Sequence, residues 1–276
     1  MYGSRRWPEQ NKNSLAYKMA KRRKEEDRKF NKDIDEILKR NSALLDMKQT
    51  PRLCLAAVEY SGWALQYIRD KTDELCEVAV KEDPRALQWT KNQTPKMCLE
   101  AVRKNGFVIE YVKEQTEELC LEAVKRAGGA LQYVINQTEE ICMAAIEQNY
   151  FAFYHARSNT EKMCLKAVKK EASMFQYALM QTEKLCLVAV KGNYTMLENV
   201  KEQTDEIVME ALKTNCRALK YVHNPTMKQC LFAIDNLDSD ISRDELIVLI
   251  RDQEVRDQIV KHFENIRFMK TKNARH

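Results

Sequence analysis

Polar and apolar positions along this chain alternate with a fixed beat. In QTEELCLEAV, Gln115 to Val124, a polar start is followed by Leu119, Cys120, Leu121, Ala123 and Val124 at helical spacing. The same beat returns as QTPRLCLAAV, QTPKMCLEAV, QTEEICMAAI and QTEKLCLVAV. Thr50, Thr72, Thr94, Thr116, Thr138, Thr160, Thr182, Thr204 and Thr226 stand 22 residues apart without a slip. Seven residues after each threonine is an alanine, from Ala57 to Ala233, and the next position is always Val, Ile or Leu.

Each unit predicts two short helices. The first starts at the threonine, whose hydroxyl can cap a free backbone N–H. The following position holds Pro51, Asp73, Pro95, Glu117, Glu139, Glu161, Glu183 or Asp205, residues that suit a helix start. Ser61–Gly62, Asn105–Gly106 and Ala127–Gly128 are stop signals, and Asp83–Pro84 is a restart signal. Leu131, Tyr133 and Val134, with counterparts such as Leu65, Tyr67 and Ile68, mark the second helix. Helices this short are not stable alone in water, so the units must stack. The fold class expected is all-α, an α-solenoid of about nine 22-residue helical-hairpin repeats with terminal capping helices. At the front, Ile34, Ile37, Leu38, Leu44 and Leu45 form a degenerate capping unit. At the back, Ser242 and Glu245 spell a capping box, and Arg243 to Met269 reads as one or two closing helices.

Charge divides the chain further. Residues 1–40 carry 13 Lys/Arg against 7 Asp/Glu, residues 41–240 carry 25 against 28, and residues 241–276 carry 8 against 6. This separates a basic arm at 1–40, a slightly acidic repeat body at 41–235, and closing helices with a basic tail at 236–276. Arg5, Arg6 and the KRRK run at Lys21, Arg22, Arg23 and Lys24 are candidates for contact with phosphate or an acidic partner, or for a nuclear address. The bland alternative is a solvated helix face, since Glu25, Glu26 and Asp27 follow directly.

Eight of the nine cysteines fall in one column: Cys54, Cys76, Cys98, Cys120, Cys142, Cys164, Cys186 and Cys230, with Val208 in the remaining unit. Equivalent helices of adjacent units are expected ~8–10 Å apart, beyond the ~7 Å reach of a disulfide. No CxxC pair is present to start a zinc site. The column therefore reads as packing by a small apolar side chain. Cys216, at the turn, is expected to be more exposed. The residues preceding the threonines, Gln49, Gln93, Gln115, Gln137, Gln181 and Gln203, read as partners of loop backbone.

Aromatic positions raise the question of recognition. The column Tyr67, Trp89, Tyr111, Tyr133, His155, Tyr177, Asn199, Tyr221 could stack on bases. Packing of amphipathic rings is preferred, because the body is net acidic and has no interleaved basic stripe. Trp63, Phe107 and Phe151 lie 44 apart, with Arg85, Gly129 and Ser173 between them, so the unit does not require those rings; they are candidate anchors for a partner, with packing between alternate units as the equal alternative. The most irregular unit, NYFAFYHARSN, supplies Tyr150, Phe151, Tyr154, His155 and Arg157 as the candidate partner contact.

Neither HExxH, GxSxG, GxxxxGKS/T nor GxGxxG occurs, and no paired acid/base site stands out among the periodic carboxylates. No enzyme activity, cofactor or metal is expected. With no 18-residue apolar run, membrane insertion is not expected either. Nine cysteines and an opening stretch without an apolar core point to a reducing intracellular compartment.

The unit T-E-E-L-C-L-E-A-V-K, a turn, then A-L-Q-Y-V resembles a helical-repeat family of unknown function, found in large DNA viruses of protists and in some bacteria and phages. The likeness spans about Gln49 to Ile234; Cys120 and Leu121 stand where that family usually has other aliphatics. The resemblance implies a helical repeat and a viral or microbial source, and implies no activity. The function expected is a non-enzymatic interaction or structural solenoid in a viral particle or large assembly, with protein partners. The alternatives are a nucleic-acid-binding protein using its basic ends, or a host-directed inhibitor that masks a host protein.

Overall fold

The computed structural model describes residues 15–237, 241–250 and 252–273. Arg5 and Arg6 lie outside them. The described residues are helical with no strand among them, and they form repeated α/3₁₀ hairpins, an all-α solenoid architecture. They group into two compact units, one ending at Arg126 and the other beginning at Ala127.

The first unit contains α1 (Leu15–Lys39), α2 (Pro51–Tyr60), α3 (Asp73–Glu82), α4 (Pro95–Lys104) and α5 (Glu117–Arg126). The 3₁₀ helices Asn41–Asp46, Gly62–Tyr67, Pro84–Trp89 and Gly106–Tyr111 alternate with them. The second unit opens with the 3₁₀ helix Gly128–Tyr133. It continues through α6 (Glu139–Gln148), α7 (Glu161–Lys170), α8 (Glu183–Gly192), α9 (Asp205–Thr214) and α10 (Met227–Asp235). Here the alternating 3₁₀ helices are Tyr150–His155, Ala172–Tyr177, Tyr194–Asn199 and Cys216–Tyr221. Two further helices, α11 (Arg243–Val248) and α12 (Gln253–Asn273), close it.

The second element of each hairpin is thus a six-residue 3₁₀ helix, where a short α-helix was a natural expectation. Length explains the choice. Ten α-helical residues span about 15 Å, and six 3₁₀ residues at ~2 Å each span about 12 Å. The tighter helix lets the chain return along nearly the full length of its partner and still leaves six of the 22 residues for two turns. The burial pattern follows the three-residue period: Gly128, Leu131 and Val134 are buried on one side, as are Gly62, Leu65 and Ile68.

The threonine and alanine columns have distinct tasks. Every repeat threonine accepts a hydrogen bond from the N–H three residues on, at 3.2–3.4 Å. The alanines are at most 1% exposed, so no larger side chain fits between helix and neighbour. A similar restriction acts at two turns. A Cβ on Gly128 would lie 2.6 Å from the Ala145 carbonyl oxygen, and one on Gly62 would lie 2.3 Å from that of Ala79. Glycine lets the backbone of one hairpin touch the backbone of the next.

The glutamines preceding the threonines join consecutive hairpins. The Gln137 Nε2 amide donates to the carbonyls of Leu131 (2.9 Å) and His155 (3.1 Å), and its Oε1 accepts from the Arg157 N–H (2.9 Å). Gln49, Gln93 and Gln203 repeat this three-bond arrangement. Gln181 and the shorter Asn159 make the two forward bonds, to the carbonyl 18 residues ahead and the N–H 20 residues ahead. At Lys71 the column instead sends an ammonium to the Ile68 carbonyl.

The ends pack on the repeat body as well. Helix α1 packs on α2: Ile37 is buried, and the Arg52 guanidinium lies 4.0 Å above the Phe30 ring and 3.2 Å from the Asp27 carboxylate. The later part of α1, from Asp27 to Ile37, therefore packs on the repeat body, while Lys21 to Glu26 stay exposed. Leu44 is buried but Leu45, expected beside it, is 49% exposed; the side chain of Leu38 lies outside those described. At the other end the Ser242–Glu245 capping box forms as spelled, and Leu246, Ile250 and Ile259 are buried.

Replacing Gln137 by Leu takes the partner from the His155 carbonyl and the Arg157 N–H, while the Leu131 carbonyl keeps the Val134 N–H at 3.1 Å. We expect a loss of about 2–3 kcal/mol, read as a lower urea midpoint; a change under ~0.5 kcal/mol would remove the clamp as a source of stability. Gly128→Ala should cost about 1–3 kcal/mol through the forced backbone separation, and a melting temperature equal to wild type would contradict this.

Candidate interaction surface

The site is built on the 3₁₀ helix Tyr150–His155. The Asn149 side chain fixes its start by accepting the Phe151 N–H at 3.0 Å. Side chains three apart eclipse in a 3₁₀ helix, so Phe151 and Tyr154 stand on one edge while Phe153 fills the core. Phe151 is 56% and Tyr154 63% exposed. The Tyr150 ring leans on Phe151 at 4.4 Å between centroids. Tyr154 meets His155 at 5.3 Å and Tyr177 of the next hairpin at 5.1 Å, both edge to face.

The patch continues where sequence reasoning did not look. Leu179 is 68% exposed, and Met180 and Ile135 are exposed as well. Ile135 and Leu179 flank Arg157 in one loop column, whose other members include Arg69, Lys91, Lys113 and Lys201. Several of those cations bind the preceding loop: Arg69 donates to the Leu45 carbonyl at 2.9 Å and Lys113 to that of Lys91 at 2.7 Å. Two exposed aliphatics in a basic column were the available signal. Arg157 keeps the column's habit, donating to the Ile135 carbonyl at 2.7 Å. The structure thus brings Tyr150, Phe151, Tyr154 and His155 together, with Arg157 tied to the loop beside them.

Trp63 and Phe107 lie in the other unit. Trp63 is half-buried and engaged: its indole N–H donates to Asp83 at 2.6 Å, its ring meets Trp89 at 4.9 Å, and the Arg85 guanidinium sits 4.9 Å above it. Burial alone would raise the Asp83 carboxyl; hydrogen bonds from Arg85 and Trp63 outweigh it and hold the group below the usual carboxylate range. Phe107 is 44% exposed on its own 3₁₀ helix. On α1, Lys21, Arg22, Arg23 and Lys24 are all exposed, with Arg22 paired to Glu26 at 3.0 Å.

The cysteine column is part of the core. Each member is buried and in no disulfide, and Cys164 donates weakly to the Asn159 amide oxygen at 3.3 Å. Burial raises the column thiols, Cys230 to about 11. Cys216 is buried too, 1% exposed, in contrast to the exposure expected of a turn residue. It occupies the first position of its 3₁₀ helix, the place of Gly62 and Gly128, which faces the next helix. Among the described residues no group of His, Cys, Asp and Glu is arranged to hold a metal ion. Nor is any helix among them long and apolar enough to cross a membrane.

Residues 116–160 match the model of a family described as a domain of unknown function, DUF4116. That segment runs from one repeat threonine to the second after it and includes Tyr150, Phe151, Tyr154 and His155 but not Tyr177 or Leu179. No curated protein and no solved structure matches the chain.

Thiolates are the reactive form, so the column thiols should resist iodoacetamide in the native chain and react fully in denaturant. Rapid native labelling of any column cysteine would show it to be accessible. A thiol raised by folding contributes stability that is complete below its unfolded pKa, about 8.5, and is lost as pH rises through the folded value. Urea midpoints should accordingly fall above about pH 8.5.

Proposed function

We propose that this chain is a non-enzymatic interaction protein whose repeat body docks on a partner protein through the edge formed by Phe151, Tyr154, Tyr177 and Leu179. The observation that supports this reading is the concentration of exposed large apolar side chains between Ile135 and Met180. Exposed rings of this size are costly to leave in water and are frequent anchors of protein interfaces. Neighbouring polar groups, Arg157 and Gln176 among them, supply the wetter rim that such interfaces have. The rings are held by the 3₁₀ helix and by one another, so little side-chain freedom is lost on docking. In this reading the protein is a component of a larger assembly. The likeness of the repeat to a family of large DNA viruses extends it to a viral particle.

A second reading uses the exposed cations of α1, Lys21, Arg23 and Lys24, to bind nucleic acid. Salt separates the two, since binding through several phosphates weakens steeply with ionic strength and apolar docking does not. The test is affinity capture from the native source with wild type and with Phe151→Ala/Tyr154→Ala. We expect one stoichiometric protein partner, retained at raised salt and weakened on the order of 30-fold by the double substitution, with the melting temperature unchanged. Retention of the partner by a folded double variant would refute the proposal.

A further inference from the structure

A second surface, on the α-helices of the same unit, has a different chemistry. Helix α7 carries Lys162, Lys166, Lys169 and Lys170, spaced so that they share one face. With Lys184 of α8 they line an open groove of about 600 Å³, whose wall also includes the half-buried Met143 and Leu165. That volume lies within the range of binding clefts.

The repeat does not dictate this cluster. The position of Lys166 is Ala, Val, Glu or Phe in every other unit. Lys169 and Lys170 suit the negative end of a helix dipole, but Lys162 and Lys184 stand in first turns, where the dipole disfavours a cation. In the same column Arg52 and Lys228 are compensated by Asp27 and Asp205. Lys162, Lys169, Lys170 and Lys184 make no close ion pair among the described residues, and Lys170 shares only the field of Glu147. Of the two carboxylates at the groove, Glu161 accepts from the Thr182 hydroxyl at 2.6 Å and Glu147 pairs with Lys166.

We propose that this groove docks an acidic segment of a partner polypeptide that also carries aliphatic side chains. Charge complementarity requires the acid, since five lysines converge there against two carboxylates that are both already engaged. Met143 and Leu165 require the aliphatic part. A nucleic acid is the poorer fit: the groove has no aromatic ring on which a base could stack, and its cations are point-charged lysines without an arginine fork. Glu147 shows the recognition already at work, because hydrogen bonding to Lys166 and the charges of Lys166 and Lys170 hold its carboxyl below the ordinary range. The groove uses different residues from the aromatic edge and stands independently of it.

Fluorescence anisotropy on the full chain tests this, with a labelled peptide of alternating Glu-Glu and Leu-Leu pairs as the probe. Its competitors are the same peptide with Ser for Leu and an oligothymidine of equal charge. The variants replace Lys162, Lys169, Lys170 and Lys184 together, once by Gln and once by Glu; all four are exposed, so the core is untouched. We expect the Gln variant to bind the peptide on the order of ten-fold more weakly and the Glu variant more weakly still. Phe151→Ala/Tyr154→Ala should bind it as wild type does. No binding by wild type, or equal binding by the lysine variants, overturns the proposal. So does tighter binding of oligothymidine through the same lysines, or equal binding of the Ser peptide, which would leave charge alone as the determinant.

Discussion

A side-chain amide that hydrogen-bonds the backbone of the next hairpin is the interaction on which the rest of this structure depends. Packing between short helices supplies much of the burial but little direction, because one apolar surface slides readily over another. The glutamine clamp supplies direction. It binds a carbonyl 18 residues ahead and an N–H 20 residues ahead, fixing where the next 3₁₀ helix must end. The threonine then opens the following α-helix from a loop that is already held. Capping, clamping and helix start are therefore one continuous device, set within the residues around each threonine.

The clamp also accounts for the economy of the hairpin. Backbone groups at the loop between the 3₁₀ helix and the next α-helix would otherwise face a packed neighbour without partners. Amide oxygen and nitrogen satisfy both kinds at once. Where Asn159 replaces glutamine, the shorter side chain still reaches forward, and it stands between the two most exposed stretches of the aromatic edge. The irregular unit is thus held by the same bonds as its neighbours, and its rings are displayed from a firm support.

Much of the fold was legible because each repeat column records one physical requirement. Thr138 must cap, Ala145 must leave room, and Gln137 must reach two loop groups, so these identities recur. The 3₁₀ helices were harder to read. Leu131 and Val134 are three apart, a spacing that suits a 3.6-residue and a 3.0-residue period equally over so short a run. Only the limit of 22 residues per hairpin decides between them. Exposure was least legible. Trp63 and Phe151 occupy the same column, yet Asp83, Arg85 and Trp89 enclose the first, and no such set stands at the second. The extent of the surface around Phe151 depends on Ile135 and Leu179, which depart from a basic column whose purpose the backbone contacts of Lys113 and Arg69 disclose.

The fixed reach of the clamp constrains how a gene for such a chain can change in length. An insertion of a few residues in a hairpin would place the wrong backbone atoms opposite the amide and leave two polar groups unmatched. Duplicating or deleting one whole repeat would leave every remaining amide opposite an equivalent carbonyl and N–H. Unequal recombination between near-identical units therefore has a permitted step size, and copy number is the variable it acts on. Specialised units, such as the one bearing Phe151 and Tyr154, can diverge in their outward side chains and be moved as intact cassettes.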